Sequence, residues 1–296
     1  MKPRRLSPLK RISHVLETVA AYIVYGFFRL LPLETASALG GSIMRKVGPR
    51  MGITRTALSN LDVAFPEKTA VEKQAIMRGM WENLGRVVAE YPHLSRIKDN
   101  VEIEGAEHLD TRLEKGGPAI FFAGHLANWE VLAVAARNMG LPIYVVYRKP
   151  NNAGVDGLLR HARNAGAAGH IEKGKEGARD IMAHLRKGDA IGMLIDQKQS
   201  EGISMPFFGR EAMTSDALAR FGLKFGCKLF PVRVVRTKGA KFRVTVYPPL
   251  ETVQTDDRDG DVRRLTIESN SLLEDWIREK PEEWLWIHNR WPSKAA

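Results

Sequence analysis

Two apolar runs separated by a short polar turn mark the centre of this chain. Residues 118 to 130 read Pro-Ala-Ile-Phe-Phe-Ala-Gly-His-Leu-Ala-Asn-Trp-Glu, and a second run extends from Val131 to Ala136. The first run is short, carries Ile and Phe, and is bounded by Gly-Gly-Pro, which predicts a buried strand. The second predicts a buried helix over 128–139 with Asn128 as its N-cap. The same alternation continues to the end of the chain. Strands are expected at 101–104, 118–123, 142–147, 189–195, 229–236 and 242–247. Helices are expected at 128–139, 153–165, 175–187, 215–226 and 262–279. Strands alternating with helices predict an α/β fold: a largely parallel or mixed sheet covered by helices on both faces. Lys238-Gly239-Ala240 turns the last two strands into an antiparallel hairpin.

Upstream of residue 101 the period is helical. Val71, Ile76, Met80, Leu84, Val87 and Val88 recur at helix spacing between Thr69 and Tyr91, and Pro92 ends that helix. Residues 34–62 also read as helical, with breaks near Gly48-Pro49 and Gly52, and Phe65-Pro66-Glu67 is a turn. Before them, Thr18 to Phe28 is uncharged and lies between Glu17 and Arg29. That stretch is well short of the roughly 20 residues that cross a bilayer. Extension to Leu33 takes in Arg29, whose stem is long enough to snorkel. Ala36-Ser37-Ala38 mimics a signal-peptide cleavage site, but Arg29 and Glu34 stand between it and the apolar run, against cleavage. Lys2, Arg4, Arg5, Lys10 and Arg11 precede the segment and Arg45, Lys46 and Arg50 follow it, so charge does not orient it. A span, an interfacial helix and a buried first helix all stay open. The expected organisation is residues 1–33 as a basic N-terminus with a membrane-associated or transmembrane helix. Residues 34–296 follow, divided into a helical front over 34–100 and an α/β core over 101–296.

Composition adds one constraint and removes several. Of 296 residues 44% are hydrophobic and 27% charged, which supports a packed core. The single cysteine, Cys227, excludes a disulfide framework and a cysteine-rich zinc site. The net charge of +11 calls for an anionic partner. Nucleic acid is one such partner, but Trp81, Trp129, Trp276, Trp284 and Trp286 sit in apolar contexts rather than among basic runs, so a nucleic-acid-binding protein is the weaker reading.

A strand that ends in a turn and feeds a helix places the turn at the carboxyl edge of the sheet, where ligands bind in α/β folds. His125 and Glu130 flank that turn. A histidine titrating near neutrality is able to take a proton from a hydroxyl, and a carboxylate on its far nitrogen would fix the tautomer. The blander alternatives are a hydrogen-bonded turn histidine and an acidic residue favouring a helix N-terminus. Arg148 and Asp196 stand at two further expected strand ends, with surface-arginine and turn-aspartate alternatives. No G-x-S-x-G elbow, H-E-x-x-H zinc site or phosphate loop is present, and no cofactor or metal site is expected.

In chain order, several blocks together carry a resemblance. They are Ser59-Asn60-Leu61 with Phe65-Pro66-Glu67, then Trp81-Glu82-Asn83-Leu84-Gly85-Arg86, then Gly124-His125 to Glu130. Tyr147-Arg148 with Asn151-Asn152, Asp196-Gln197, Pro206-Phe207-Phe208-Gly209 and Thr214 follow. Trp284-Leu285-Trp286-Ile287-His288 and Arg290-Trp291-Pro292 complete the series. Over nearly its whole length the sequence resembles the late acyltransferases of lipid A biosynthesis, the lauroyl/myristoyl transferase family, within the wider glycerolipid acyltransferase group. Glu130 is of the acidic type this family uses, where glycerol-phosphate relatives carry Asp; Asp216 departs from the small residue expected at its helix start.

The resemblance implies transfer of a fatty acyl chain from acyl carrier protein to a hydroxyl of a lipid A precursor, an anionic glycolipid. His125 would act as base on the hydroxyl of a hydroxyacyl chain already on the sugar, and Glu130 would orient it; no acyl-enzyme is needed. Amides at the start of helix 128–139 or Arg148 would hold the oxyanion. Asn128, Arg148, Asn152, Arg179, Asp196 and Gln197 are the implied substrate-binding residues, with Arg148 and Arg179 for phosphates. A glycerol-phosphate or other glycolipid acyltransferase is the alternative within the same chemistry. The implied location is the inner membrane, with the catalytic domain facing the cytoplasm. A spanning N-terminal helix would then put Met1 outside against its own basic charge, whereas an interfacial helix avoids that conflict.

Overall fold

The computed structural model of the chain describes residues 7–109 and 116–291. Met1, Lys2, Arg4, Arg5 and Pro292, all named above, lie outside them. Four long helices lead: α1 (Pro8–Leu30), α2 (Leu33–Val47), α3 (Thr54–Ala64) and α4 (Ala70–Glu90). Thr69 caps α4 through a reciprocal capping box with Glu72, which satisfies two orphan amide donors at that end. α2 and α4 lie against each other through a glycine contact. A Cβ on Gly40 would stand 2.5 Å from the Gly85 carbonyl oxygen, so a side chain there would force the helices apart. A one-turn helix, α5 (Leu94–Ile97), then leads into the sheet domain.

The sheet has seven strands: β1 (Val101–Glu104), β2 (Ala119–Ala123), β3 (Ile143–Tyr147), β4 (Gly169–Glu172), β5 (Ala190–Leu194), β8 (Lys228–Lys238) and β9 (Lys241–Val246). Their order is β1-β9-β8-β2-β5-β3-β4, and all neighbouring pairs are parallel except the β8–β9 hairpin. β2 lies in the middle, and all five of its residues are buried, as a strand covered on both faces requires. Alternation assigns its side chains to two separate cores. Ala119 and Phe121 join α5 and α6 (Val131–Asn138), while Ile120 and Phe122 join α8 (Lys175–Arg186), α9 (Ala217–Phe225) and α10 (Arg258–Glu279). α7 (Ala153–Arg163) connects β3 to β4.

The mostly parallel mixed sheet covered by helices matches the expected α/β class. Three strands escaped the periodicity. β4 is four residues long, and β6 (Ile203–Phe207) pairs with β7 (Arg210–Thr214) as a separate antiparallel ribbon. The ribbon's sequence, Ile-Ser-Met-Pro-Phe, puts Pro206 inside a strand, tolerated because a two-stranded ribbon is all edge. The helix after β2 starts three residues later than expected. Asn128 does not cap Val131; its side-chain oxygen accepts from the Glu130 amide at 3.1 Å, and Glu130 takes the N-cap position.

The N-terminal segment forms a 23-residue helix, but among the described residues no helix is long and apolar enough to cross a membrane. α1 is fastened along the domain by polar contacts. The Thr18 hydroxyl donates to Asn152 Oδ1 at 2.9 Å, and Asn152 Nδ2 donates to the His14 carbonyl at 2.7 Å. Arg29 donates to the Pro92 carbonyl at 3.2 Å, and Phe28 is buried.

Candidate active site

His125 stands two residues beyond the end of β2, and the last turns of the chain fix its backbone. Leu285 N–H donates to the His125 carbonyl at 3.1 Å, and Ala127 N–H donates to the Glu283 carbonyl at 3.0 Å. Asn83 Nδ2 donates to the Ala127 carbonyl at 2.9 Å. Ala127 adopts φ 46°, a left-handed conformation that costs a non-glycine residue on the order of 1 kcal/mol and persists only where surrounding contacts impose it. The turn is therefore held rather than self-forming.

The carboxylate on the His125 ring is Asp196, just after β5. Asp196 Oδ1 lies 2.7 Å from His125 Nδ1, while Oδ2 accepts from the His125 amide at 2.8 Å and from Trp284 Nε1 at 2.7 Å. Burial by itself would raise the Asp196 carboxyl. The charge of His125, its ring and backbone hydrogen bonds and the Trp284 donor outweigh burial and bring it down to about 2. Asp196 is thus an anion that fixes the proton on Nδ1 and leaves Nε2 as the basic nitrogen. Nε2 faces an internal cavity, with Gln197 Nε2 at 3.4 Å.

Glu130, expected on the His125 ring, makes its bonds elsewhere. It accepts from Tyr91 Oη at 2.6 Å, from Trp129 Nε1 at 3.0 Å, and from Arg163 Nε and Nη2 at 2.8 and 2.7 Å. The physical reason is that helix α6 begins after Glu130, so its side chain turns towards α7, which brings the half-buried Arg163 guanidinium to pair with it. Burial would raise the Glu130 carboxyl, but Arg163 and the other donors overcome it and hold it below its ordinary value. Burial first, and then the Glu130 charge, push the Tyr91 hydroxyl well above its usual range. Glu130 and Arg163 both line the cavity.

The remaining expected residues divide in two. Asp196 and Gln197 reach the His125 ring, and Arg148 and Gln197 line the cavity. Asn128, Asn152 and Arg179 do not line it. Asn128 is fully buried and donates to Glu90 Oε2 at 2.7 Å, so it braces the turn from inside. Asn152 caps α7 and clasps α1, and Arg179 is exposed on the far side of α8. The helix-start amides expected for an oxyanion are also spent: Glu130, Val131 and Leu132 donate to the Asn128 side chain, the Asn128 carbonyl and the Trp129 carbonyl. Asp216 pairs with Arg220 at 2.5 Å on the outside of α9.

Sequence reasoning gave no role to Tyr91, Arg163, Lys173, Trp284 or His288, although Trp284 and His288 fall in one of the quoted blocks. His288 Nε2 accepts from the Lys198 amide at 2.8 Å, and burial pulls its pKa from 6.5 to about 4. Its folded pKa lies below its unfolded one, so between those values the unfolded chain binds more protons and acid favours unfolding. Stability should fall as pH drops across that window. Urea unfolding from pH 7 to 4 reads the slope, and His288→Gln, which keeps an acceptor for Lys198, should remove it.

The cavity has a volume of about 670 Å³ and a wall that is mainly apolar, built from side chains on both faces of the sheet. Among the described residues no cluster of three His, Cys, Asp or Glu is placed to hold a metal. A histidine oriented by a carboxylate and lining a mainly apolar cavity suits chemistry on a hydroxyl beside a hydrocarbon chain.

The family profile described as Bacterial lipid A biosynthesis acyltransferase matches residues 7–293. The chain is 26% identical over 252 residues to the lipid A biosynthesis palmitoleoyltransferase of Escherichia coli K12, covering 81% of this chain and 79% of that protein. It is 24% identical to the lauroyltransferase of the same organism, covering 79% and 78%, and 23% identical to the myristoyltransferase, covering 79% and 73%. Among solved structures, the 1-acyl-sn-glycerophosphate acyltransferase of Thermotoga maritima aligns with 82% of this chain and 100% of its own, at 12% identity and a TM-score of 0.38. With its family profile matched from residue 7 to residue 293, this chain belongs to the bacterial lipid A biosynthesis acyltransferases.

Proposed function

We propose that this acyltransferase moves a fatty acyl chain from acyl carrier protein to a hydroxyl of an anionic lipid A precursor, with His125 as the base in direct attack on the thioester. The observation that carries this reading is the His125 ring: Nδ1 tied to ionised Asp196, and Nε2 beside Gln197 Nε2 at 3.4 Å in a residue that lines an apolar cavity. His125 Nε2 takes the hydroxyl proton as the oxygen attacks the thioester carbonyl. The tetrahedral intermediate collapses, the carbon–sulfur bond breaks, and the thiolate takes the proton back from Nε2, leaving an ester and a free thiol. Gln197 Nε2, 3.4 Å from His125 Nε2, is placed to donate to the oxyanion, and Arg163 supplies fixed positive charge in the cavity wall. Glu130 holds Arg163 there rather than orienting the base. Cys227 is not a competing nucleophile, because it is buried and its thiol is pushed up to about 12 by burial. Incubating the protein with labelled acyl carrier protein and candidate acceptors, followed by mass spectrometry of the lipid, tests the reading. An acylated lipid A precursor is expected; acylation of glycerol phosphate alone, or of nothing, defeats it.

The same reading places the enzyme on a membrane surface. Leu9, Ile12, Leu16, Val19, Ile23, Phe27 and Leu30 recur along one side of α1 and are exposed, with Ile12 at 58% and Leu30 at 86%. Leu39, Ile43 and Val47 continue the apolar surface on α2, beside Arg45, Lys46 and Arg50. An amphipathic surface of this kind with basic flanks lies in the interface of an anionic bilayer. The polar clasp from Asn152 to His14 and Thr18 keeps the other side of α1 on the protein. Replacing both Leu16 and Ile23 by Asp should lower partitioning onto vesicles containing anionic phospholipid by at least about a hundredfold, since each buried side chain contributes about 1.5–3 kcal/mol. Sedimentation with the vesicles measures it, and unchanged partitioning would move the membrane-facing surface elsewhere.

A further inference from the structure

β2, β5 and β3 are hydrogen-bonded neighbours, so the sheet between them is a closed wall. The cavity nevertheless touches both of its faces. On the α6 side it is lined by Phe121, Leu132, Ala135, Ile143, Val145 and Val232. On the α8–α9 side it is lined by Phe122, Val146, Ala178, Ile181, Met193 and Phe221. Side chains alternate along a strand, so Phe121 and Phe122, or Val145 and Val146, cannot face the same space except around the strand ends. Ala123, Tyr147 and Leu194, the last residues of β2, β3 and β5, line it too. The cavity is therefore a saddle over the carboxyl edge of the sheet, with one apolar lobe hanging down each face and His125 at the crest.

One hydrocarbon chain needs one lobe. Transfer between a donor acyl chain and a chain-borne hydroxyl brings two chains together at one base. The lobes differ at their lips. Beside the α8–α9 lobe, Arg148, Lys173 and Lys175 line the cavity together with Glu201 and with Glu172, which pairs with Lys149, whereas on the α6 side the Arg163 charge is paired with Glu130. Lys173 lies close enough to Arg148 that, after burial, the arginine's charge helps to lower its pKa, and it also feels Asp196. A β-hydroxyacyl chain carries its hydroxyl close to the sugar that bears it. With that hydroxyl at His125 Nε2 and the chain in this lobe, an anionic sugar head falls among these cations. A carrier-protein thioester has a neutral arm next to its carbonyl and gains nothing from them at that position.

We propose that the α8–α9 lobe is the seat of the acceptor's own β-hydroxyacyl chain, opposite the donor chain on the α6 side of the sheet. The assignment rests on the acyl-transfer reading above and adds a second hydrocarbon subsite to it. Both chains then approach the crest from opposite faces, and the hydroxyl and the thioester carbonyl meet over Nε2 without either chain crossing the other.

Two measurements test it. Ala178→Phe fills the lobe from α8. It should raise KM for a lipid A precursor about tenfold, the equivalent of roughly two methylenes of lost burial, while KM for the acyl carrier protein donor stays as in the wild type. A rise in the donor KM, or a change in donor chain-length preference with acceptor KM unaltered, overturns the assignment. The second needs no turnover and uses the intact wild-type chain. A β-hydroxy fatty acid bearing a diazirine at its terminal carbon is photolysed on the protein, and the labelled peptides are mapped. Labels on Ile181 or Phe221 are expected; labels confined to Leu132, Ala135 or Ile143 overturn it. If wild-type protein acylates no lipid A precursor yet the label maps to α8 and α9, the reaction assignment falls and the subsite stands. If acylation proceeds and the label maps to α6, the subsite falls alone.

Discussion

His125→Ala is expected to lower kcat by about a hundred- to ten-thousandfold, the contribution of a positioned general base. KM for both substrates should change little, because the ring is only one small part of a large apolar cavity. The fold should survive. The carbonyl and amide of residue 125 that anchor the turn to Leu285 and Asp196 are backbone groups and remain after the substitution. The check is a steady-state assay alongside a thermal melt. Near-normal kcat with an intact melt would remove His125 from the reaction; lost activity with lost folding would call for His125→Gln, which keeps a polar group facing Asp196.

Asp196→Asn is expected to cost roughly a thousandfold in kcat through the tautomer of His125, without touching the substrate. Three N–H donors converge on the two Asp196 oxygens: the His125 amide, the His125 ring and Trp284. An asparagine offers one oxygen and one N–H₂ group. The N–H₂ end must face one of the donors, or the imidazole must move its proton to Nε2, which then donates instead of accepting. Asp196 therefore acts as a positioning residue, and loss of kcat in a variant that stays folded at neutral pH separates that role from a structural one. In the wild type, the carboxyl titrates near 2 in the folded chain and near its ordinary value when unfolded, so its stabilisation is present above the unfolded pKa and lost as pH falls towards 2. Asp196→Asn should abolish that acid limb of the unfolding curve while kcat stays low across the neutral range. Full activity in the variant would return the orienting role to another group. Removal of Glu130 has a different consequence, since it leaves the Arg163 charge buried without its partner.

How far the sequence reached is clear from individual elements. β2 was legible because five consecutive apolar residues between glycines have no other good use than a doubly covered strand. α4 was legible from its period and Pro92. β4 was missed because Gly-His-Ile-Glu holds one fully buried residue, too little for a pattern. The β6–β7 ribbon was missed because Pro206 argues against a strand until its edge position is known.

At the candidate active site the sequence by itself set the expectation of base-assisted chemistry. It put one histidine at the carboxyl end of the central strand, and it lacked a serine elbow or a metal motif. It also placed Arg148 and Asp196 at two further strand ends. Which carboxylate serves His125 was decided only by the tertiary structure. Glu130 is five residues away in the chain and Asp196 seventy-one, yet β2 and β5 are adjacent and parallel, so their ends coincide. Glu130, near in sequence, is carried by the start of α6 towards Arg163 on α7. Spacing along a chain measures contour length. Parallel pairing of strands measures distance, and a hydrogen bond depends on distance alone.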